Sequence, residues 1–312
     1  MTTFVVPCGI SILDGLGRKL PSSGGAVGRF VNAVDPHRAA AWPHGYDQLA
    51  DDELLASWAK EVADKADAAK LAEAEPVKLC AETHTVTRGL AAQRLRLREL
   101  LDQGGRVLLL ASDTRAGIAA AFCVATHLAG GRERIAYLST PAHDAPTLGA
   151  TPAGGTVTVI RVRQLRPQHA DLVEAAAGIG KVLRAAHDLG APVEVHLTGG
   201  FKATLLHTLA MTELLYSMAP RQVSAWYVFE DVVDAGVGAA PIPIGLRHFP
   251  DAYQRDMRRE LTAVDGHQYP GSETFKGVAW NEDSGRPELN AFGHGYLAVL
   301  SRPVTLLGDD GR

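Results

Sequence analysis

Arg106-Val-Leu-Leu-Leu-Ala111, followed at once by Ser112-Asp113-Thr114-Arg115-Ala116-Gly117, decides how this chain folds. A continuous apolar run of strand length that ends in small polar residues and passes into a helical pattern over residues 115–128 is a buried strand, a turn and a helix. Upstream, residues 89–103 repeat Leu90, Leu97, Leu100 and Leu101 among arginines until Gly104-Gly105 stops them, so a helix also leads into the strand. At the front of the chain, residues 3–8 form a short β-branched and aromatic run ending at Gly9. Downstream the alternation persists, with strands expected at 134–138 and 156–162, a helix at 171–189, a strand at 193–197, a helix at 203–218 and a strand at 223–229. Apolar strands separated by helices predict an α/β fold, a Rossmann-like mainly parallel sheet covered by helices on both faces.

Two stretches stand apart from this pattern. Residues 22–45 carry Gly24, Gly25, Gly28, Pro36 and Pro43 with no steady period, while 47–73 place Leu54, Trp58, Val62, Ala66 and Ala69 at helical spacing, a surface-laid helical insertion. Residues 246–312 offer one helix at 251–262, then Gly-, Pro- and Asn-rich sequence up to a strand-like 296–300. The expected organisation is therefore one α/β domain over 1–245 and a small C-terminal appendage over 246–312.

Composition narrows the function classes. The 312 residues are 46% hydrophobic and 21% charged, ordinary values for a globular chain. Lysine and arginine number 31 against 35 aspartates and glutamates, a net charge of −4, so no diffuse basic field is available to hold long nucleic acid. Any anionic ligand must be small and locally met. Cys8, Cys80 and Cys123 form neither a CxxC pair nor an even disulfide framework, which fits a reduced cytoplasm and small buried thiols. The longest apolar run, residues 118–129, is broken by Thr126 and His127 and is too short for a bilayer; the chain is read as soluble, unexported and cytoplasmic.

In open α/β sheets, ligands bind at the carboxyl ends of the strands, so the turns there hold the candidate chemistry. One is Gly9-Ile10-Ser11, a second is Ser112-Asp113-Thr114 with Gly117, and a third is Thr198-Gly199-Gly200-Phe201-Lys202. In the third, Thr198 is placed to cap the coming helix, the glycines permit close backbone approach, and free amides at a helix start attract anions. Lys202 falls in the first helical turn, where a cation opposes the macrodipole by about 0.3–1 kcal/mol, a cost that an anion between lysine and amides removes. The same residues also read more plainly: a lysine pointing to water, Ser112 or Asp113 as an N-cap, Ser11 as a turn residue. Gly15-Leu16-Gly17-Arg18-Lys19-Leu20 lacks the third glycine of a dinucleotide fingerprint, and Gly199-Gly200-Phe201-Lys202 lacks the spacing and hydroxyl of a Walker A loop. The twelve histidines show no HxxxH or HExxH spacing, so neither a metal site nor a cofactor is proposed. His196, within a strand, reads as a core histidine.

Taken in order, Pro7-Cys8-Gly9-Ile10-Ser11, Ala81-Glu82-Thr83, Leu110-Ala111-Ser112-Asp113-Thr114 with Gly117, His196-Leu197-Thr198-Gly199-Gly200-Phe201-Lys202-Ala203, and Tyr227-Val228-Phe229-Glu230 followed by Pro241-Ile242-Pro243 resemble the landmarks of CARF (CRISPR-associated Rossmann fold) proteins. The resemblance spans residues 3–244, and Thr-Gly-Gly-Phe-Lys is its specific part; His196 stands where many relatives carry asparagine. It implies a homodimer whose equivalent clefts meet on a two-fold axis and bind a cyclic oligoadenylate, a messenger of type III CRISPR defence, with cyclic tetra-adenylate the first ring to test. A symmetric site suits a ring of repeated units. The implied ligand-binding residues are Gly9, Ile10, Ser11, Glu82, Ser112, Asp113, Thr114, Thr198, Gly199, Gly200, Phe201 and Lys202, with Glu82 alternatively a helix-orienting residue. Ser11 and Lys202 match the positions implicated in ring cleavage.

The effector that usually follows a CARF domain is not evident. Residues 246–312 are short for a HEPN ribonuclease and lack its Arg-x4–6-His motif, and Arg163 to His169 has that spacing but lies inside the sensor region with Pro167 between. Three readings stay open at this level: a ring nuclease whose cleft cuts the messenger, a non-catalytic sensor that regulates a partner effector or transcription, and an unrelated Rossmann-like metabolic enzyme.

Overall fold

The computed structural model describes residues 1–9, 86, 97–129, 134–142, 144, 152–166, 172–198, 202–228 and 241–300. The expected insertion at 47–73 and the loop-rich 22–45 lie outside them.

β1 (Thr3–Cys8) is buried at all six positions because it has a hydrogen-bonded neighbour on each side and a helical layer on each face. Beside it run β2 (Arg106–Ala111) and β5 (Val193–His196), both parallel to it. Outside β2 come β4 (Val157–Arg161) and then β3 (Ile135–Ser139); outside β5 comes β6 (Val223–Tyr227), again all parallel. A two-residue β7 (Ile242–Pro243) closes that edge in the antiparallel sense. Among the described residues, the sheet thus has seven strands in the order β3-β4-β2-β1-β5-β6-β7, the Rossmann-like α/β architecture read from the sequence.

Strand alternation divides the side chains between two cores. Phe4, Val6, Val107 and Leu109 face α1 (Leu97–Asp102) and α2 (Arg115–Ala129). Val5, Leu108, Val193 and Val195 face α3 (Val173–Asp188) and α4 (Lys202–Met218). Apart from the start of α1, whose expected residues 89–96 lie outside the described residues, element bounds fall within a residue or two of expectation over this region.

Residues 246–300, the expected C-terminal appendage, form a further layer on the α3/α4 side, where Met257, Leu261, Phe275, Trp280 and Val299 join the same apolar cluster as Val193 and Val195. They come from α5 (Asp251–Asp265), a hairpin of β8 (Trp280–Asp283) and β9 (Arg286–Leu289), and α6 (Ala291–Leu300). The hairpin turns on Ser284 (φ 51°) and Gly285 (φ 77°), two positive-φ residues whose twist matches that of the strands. Glu260, 2% exposed, accepts from Trp280 Nε1 at 2.7 Å and from the amides of Phe275 and Thr274, pinning the loop before the hairpin to α5. Glu213 of α4 takes Arg247 at 2.6–2.9 Å and so fixes the entry to this layer.

Residues 296–300, expected as a strand, are helical. A short apolar run does not distinguish the two states, and Asn290 decides by accepting from the Gly293 amide at 3.1 Å to start α6. Glycines then let α6 close on its neighbours: a Cβ at Gly293 would sit 2.0 Å from the Ala279 carbonyl oxygen, and one at Gly180 of α3 would sit 2.5 Å from that of Gly295. Gly293→Ala should lower unfolding free energy by about 1–3 kcal/mol, the usual cost of overpacking. Gly245→Ala, where a Cβ meets nothing within 4 Å, should leave it unchanged; urea denaturation of both variants checks this.

Candidate functional site

Parallel pairing puts the carboxyl ends of β1 to β6 on one edge. Cys8 is opposite Ala111, Ala111 opposite Arg161, and Ser139 opposite the same Arg161, so the turns that follow β1, β2, β3 and β4 start at one level. β2 leads into α2 on one face of the sheet and β4 toward α3 on the other, the arrangement that opens a crevice between neighbouring strand ends. Pro7 and Cys8 of β1, Leu110 and Ser112 at the end of β2, Leu165 after β4 and Thr204 in the first turn of α4 enclose a narrow crevice here. Gly9, Ser112 to Thr114 and Thr198 therefore share one edge. Ile10, Ser11, Glu82, Gly199, Gly200 and Phe201 lie outside the described residues. Lys202 is the first residue of α4, as its place in the sequence implied.

The second turn is built by side chains. Thr114, immediately before α2, accepts from the Gly117 amide at 3.0 Å and so supplies the N-cap; Ser112 Oγ lies 3.0 Å from Thr114 Oγ1. A Cβ at residue 117 would come 1.9 Å from Ser112 Oγ, which explains the glycine. Thr198, 3% exposed, accepts from the Val228 amide at 3.0 Å and joins the turn after β5 to the end of β6. His196 is fully buried in the core, its ring 5.3 Å from Phe4 and its Nε2 3.8 Å from Glu194.

Asp113 is turned inward, with its side chain 2% exposed. Its Oδ1 accepts from Arg161 Nε at 2.6 Å; Oδ2 accepts from the Gln164 amide at 3.0 Å and from Arg166 Nε and Nη2 at 3.2 and 3.0 Å. The Asp113 amide in turn donates to Leu165 at 2.8 Å, so the turns after β2 and β4 are tied together by both backbone and side chain. Burial pulls the Asp113 carboxyl upward, but the Arg161 hydrogen bond and charge, the Gln164 amide and Arg166 outweigh it and hold the group below its ordinary value. Nearby, burial pushes Tyr137 up to about 12, against the opposing pull of Arg161.

Asp113, expected among the ligand-binding residues, is thus an organiser of the site's frame, while Arg161, Gln164 and Arg166 are members the sequence reading passed over. The available signal was Arg161 itself, a charge closing an otherwise apolar strand, which a buried parallel sheet accepts only with a partner. No protein-family model matches the chain, and no curated protein matches it. Among the described residues, no helix is long and apolar enough to cross a membrane.

Asp113→Asn leaves two guanidiniums without their counter-charge and should destabilise the fold by about 3–5 kcal/mol at pH 7. Because the folded carboxyl titrates below its unfolded value of about 3.9, its stabilisation is present above that value and is lost as pH falls through the lower folded one. Urea denaturation at pH 7 and pH 3 should therefore show the difference between wild type and Asp113→Asn narrowing in acid.

Proposed function

We propose that this chain is a CARF-type protein that binds a cyclic oligoadenylate at the carboxyl edge of its sheet and opens the ring. The observation that carries the reading is the convergence of the Gly9, Ser112–Thr114 and Thr198 turns and the start of α4 on one edge, in the chain order that the resemblance requires. The long α4 begins at Lys202, and Gly199-Gly200-Phe201 immediately precedes it in the sequence, a composition in which backbone amides and a lysine favour a phosphate. The proposed site acts on a small ligand and needs no broadly basic surface, in keeping with the net charge of −4.

The reaction uses the ligand's own nucleophile. A ribose 2′-oxygen held in line with the adjacent phosphorus attacks it and forms the 2′-O–P bond. The P–O5′ bond breaks, the 2′-hydroxyl proton is released, and the departing 5′-oxygen takes up a proton, leaving a 2′,3′-cyclic phosphate and a 5′-hydroxyl. Correct alignment alone supplies about 7–11 kcal/mol of barrier reduction, so a strong base is not obligatory. Lys202 and the amides of Gly199 and Gly200 stabilise charge on the phosphoryl oxygens, and Ser11 orients the 2′-hydroxyl or the scissile phosphate.

Incubation with cyclic tetra-adenylate in excess EDTA, with products separated by chromatography, tests this. Wild type should yield linear products ending in 2′,3′-cyclic phosphate, Lys202→Ala should lose about 10²–10³ in rate, and Ser11→Ala should also slow. Full rates in both variants, or wild-type activity abolished by EDTA, would refute the mechanism. Tight binding without turnover would make the chain a sensor, and absence of binding to cyclic oligoadenylates would remove the reading.

A further inference from the structure

Two arginines share one carboxylate in the cluster after β2 and β4. Asp113 balances one positive charge, so the Asp113–Arg161–Arg166 group carries a net positive charge at the strand edge. The two arginines are not equivalent. Arg161 is 7% exposed in its side chain, whereas Arg166 is 26% exposed and meets Asp113 side-on, through Nε and Nη2 on the single oxygen Oδ2. Of the five N–H donors of a guanidinium, that engagement uses two. Among the described residues nothing takes the outer edge, with both Nη1 hydrogens, which is held in a fixed orientation, the arrangement that suits bidentate recognition of a phosphate.

A second observation points the same way. Gln164, between the two arginines in sequence, has φ 58°, a left-handed conformation uncommon outside glycine, and its amide nitrogen is bound to Asp113. Its side-chain Oε1 is buried without a hydrogen-bond partner among the described residues. Backbone outliers of this kind gather at ligand-binding turns. Leu165, between Gln164 and Arg166, lines the crevice that Ser112 and Thr204 also line.

We propose that Arg166, oriented by Asp113, is a phosphate-binding residue of the cleft, and that Asp113 is its positioning residue. The inference rests on the reading of the cleft as a nucleotide-ring site.

Calorimetric titration with cyclic tetra-adenylate at several salt concentrations tests it, with wild type, Arg166→Gln, Arg166→Lys and Lys202→Ala in parallel. Arg166→Gln should weaken binding by about ten- to a hundredfold and reduce the slope of log affinity against log salt by roughly 0.7, a change that a loss of stability alone would not produce. Arg166→Lys, which keeps the charge without the side-on geometry, should retain the salt slope and recover part of the affinity. Wild-type affinity and slope in Arg166→Gln, alongside weakened Lys202→Ala, would overturn the assignment of Arg166 and leave the cleft reading standing. Wild type that binds no cyclic oligoadenylate overturns the cleft reading; inorganic pyrophosphate is then the probe. Binding of pyrophosphate that Arg166→Gln abolishes supports the anion site, and none by wild type overturns it.

Discussion

The structure is organised around a strand that water does not reach. β1 has no exposed residue, and its two parallel neighbours take their register from it: Thr3 pairs with Arg106 on one side and with Val193 on the other. Burial on both faces requires apolar side chains at successive positions and leaves the backbone no partner but other strands. Since every partner bonds in parallel, the strand ends are brought into one row, and the turns that follow them are collected on one edge. A concentration of small and polar residues there is a consequence of topology before it is a matter of chemistry.

That edge is stiffened by electrostatics of a kind the core cannot provide. A carboxylate removed from water survives as an anion only if its hydrogen bonds are replaced, and Asp113 replaces them with two guanidiniums and a backbone amide from the neighbouring turn. The turns after β2 and β4 consequently behave as one unit. On the far side of β1, Thr198 performs a milder version of the same task with the amide of Val228.

The strand–helix order was legible because its signals are local. The apolar run from Arg106 to Ala111 is delimited by Gly104-Gly105 and by Ser112, and the strand has those same bounds. What escaped is non-local. Arg161 and Arg166 lie 48 and 53 positions from Asp113, and no pattern within a helix or strand period connects them. An aspartate before a helix has the same appearance whether it faces a ligand or an arginine in the next turn. The C-terminal layer was obscured differently: α5 shows a charged exterior with only Met257, Glu260, Leu261 and Val264 buried, and Tyr296 to Leu300 is apolar in a way that serves a strand or a helix equally. Its role as a wall of the core depends on glycines whose purpose is visible only against the partner helix.

The seating of α6 on α3 bears on the order in which this protein is made. α3 is synthesised more than a hundred residues before α6, yet Val299 and Trp280 belong to the same dry cluster as the sheet's inner face. Until residues 280–300 have left the ribosome, the flank of α3 that carries Gly180 remains open to solvent, and the second core is unfinished. The domain therefore completes its fold only once residues 280–300 are translated, and its nascent form presents an apolar surface that the finished molecule conceals.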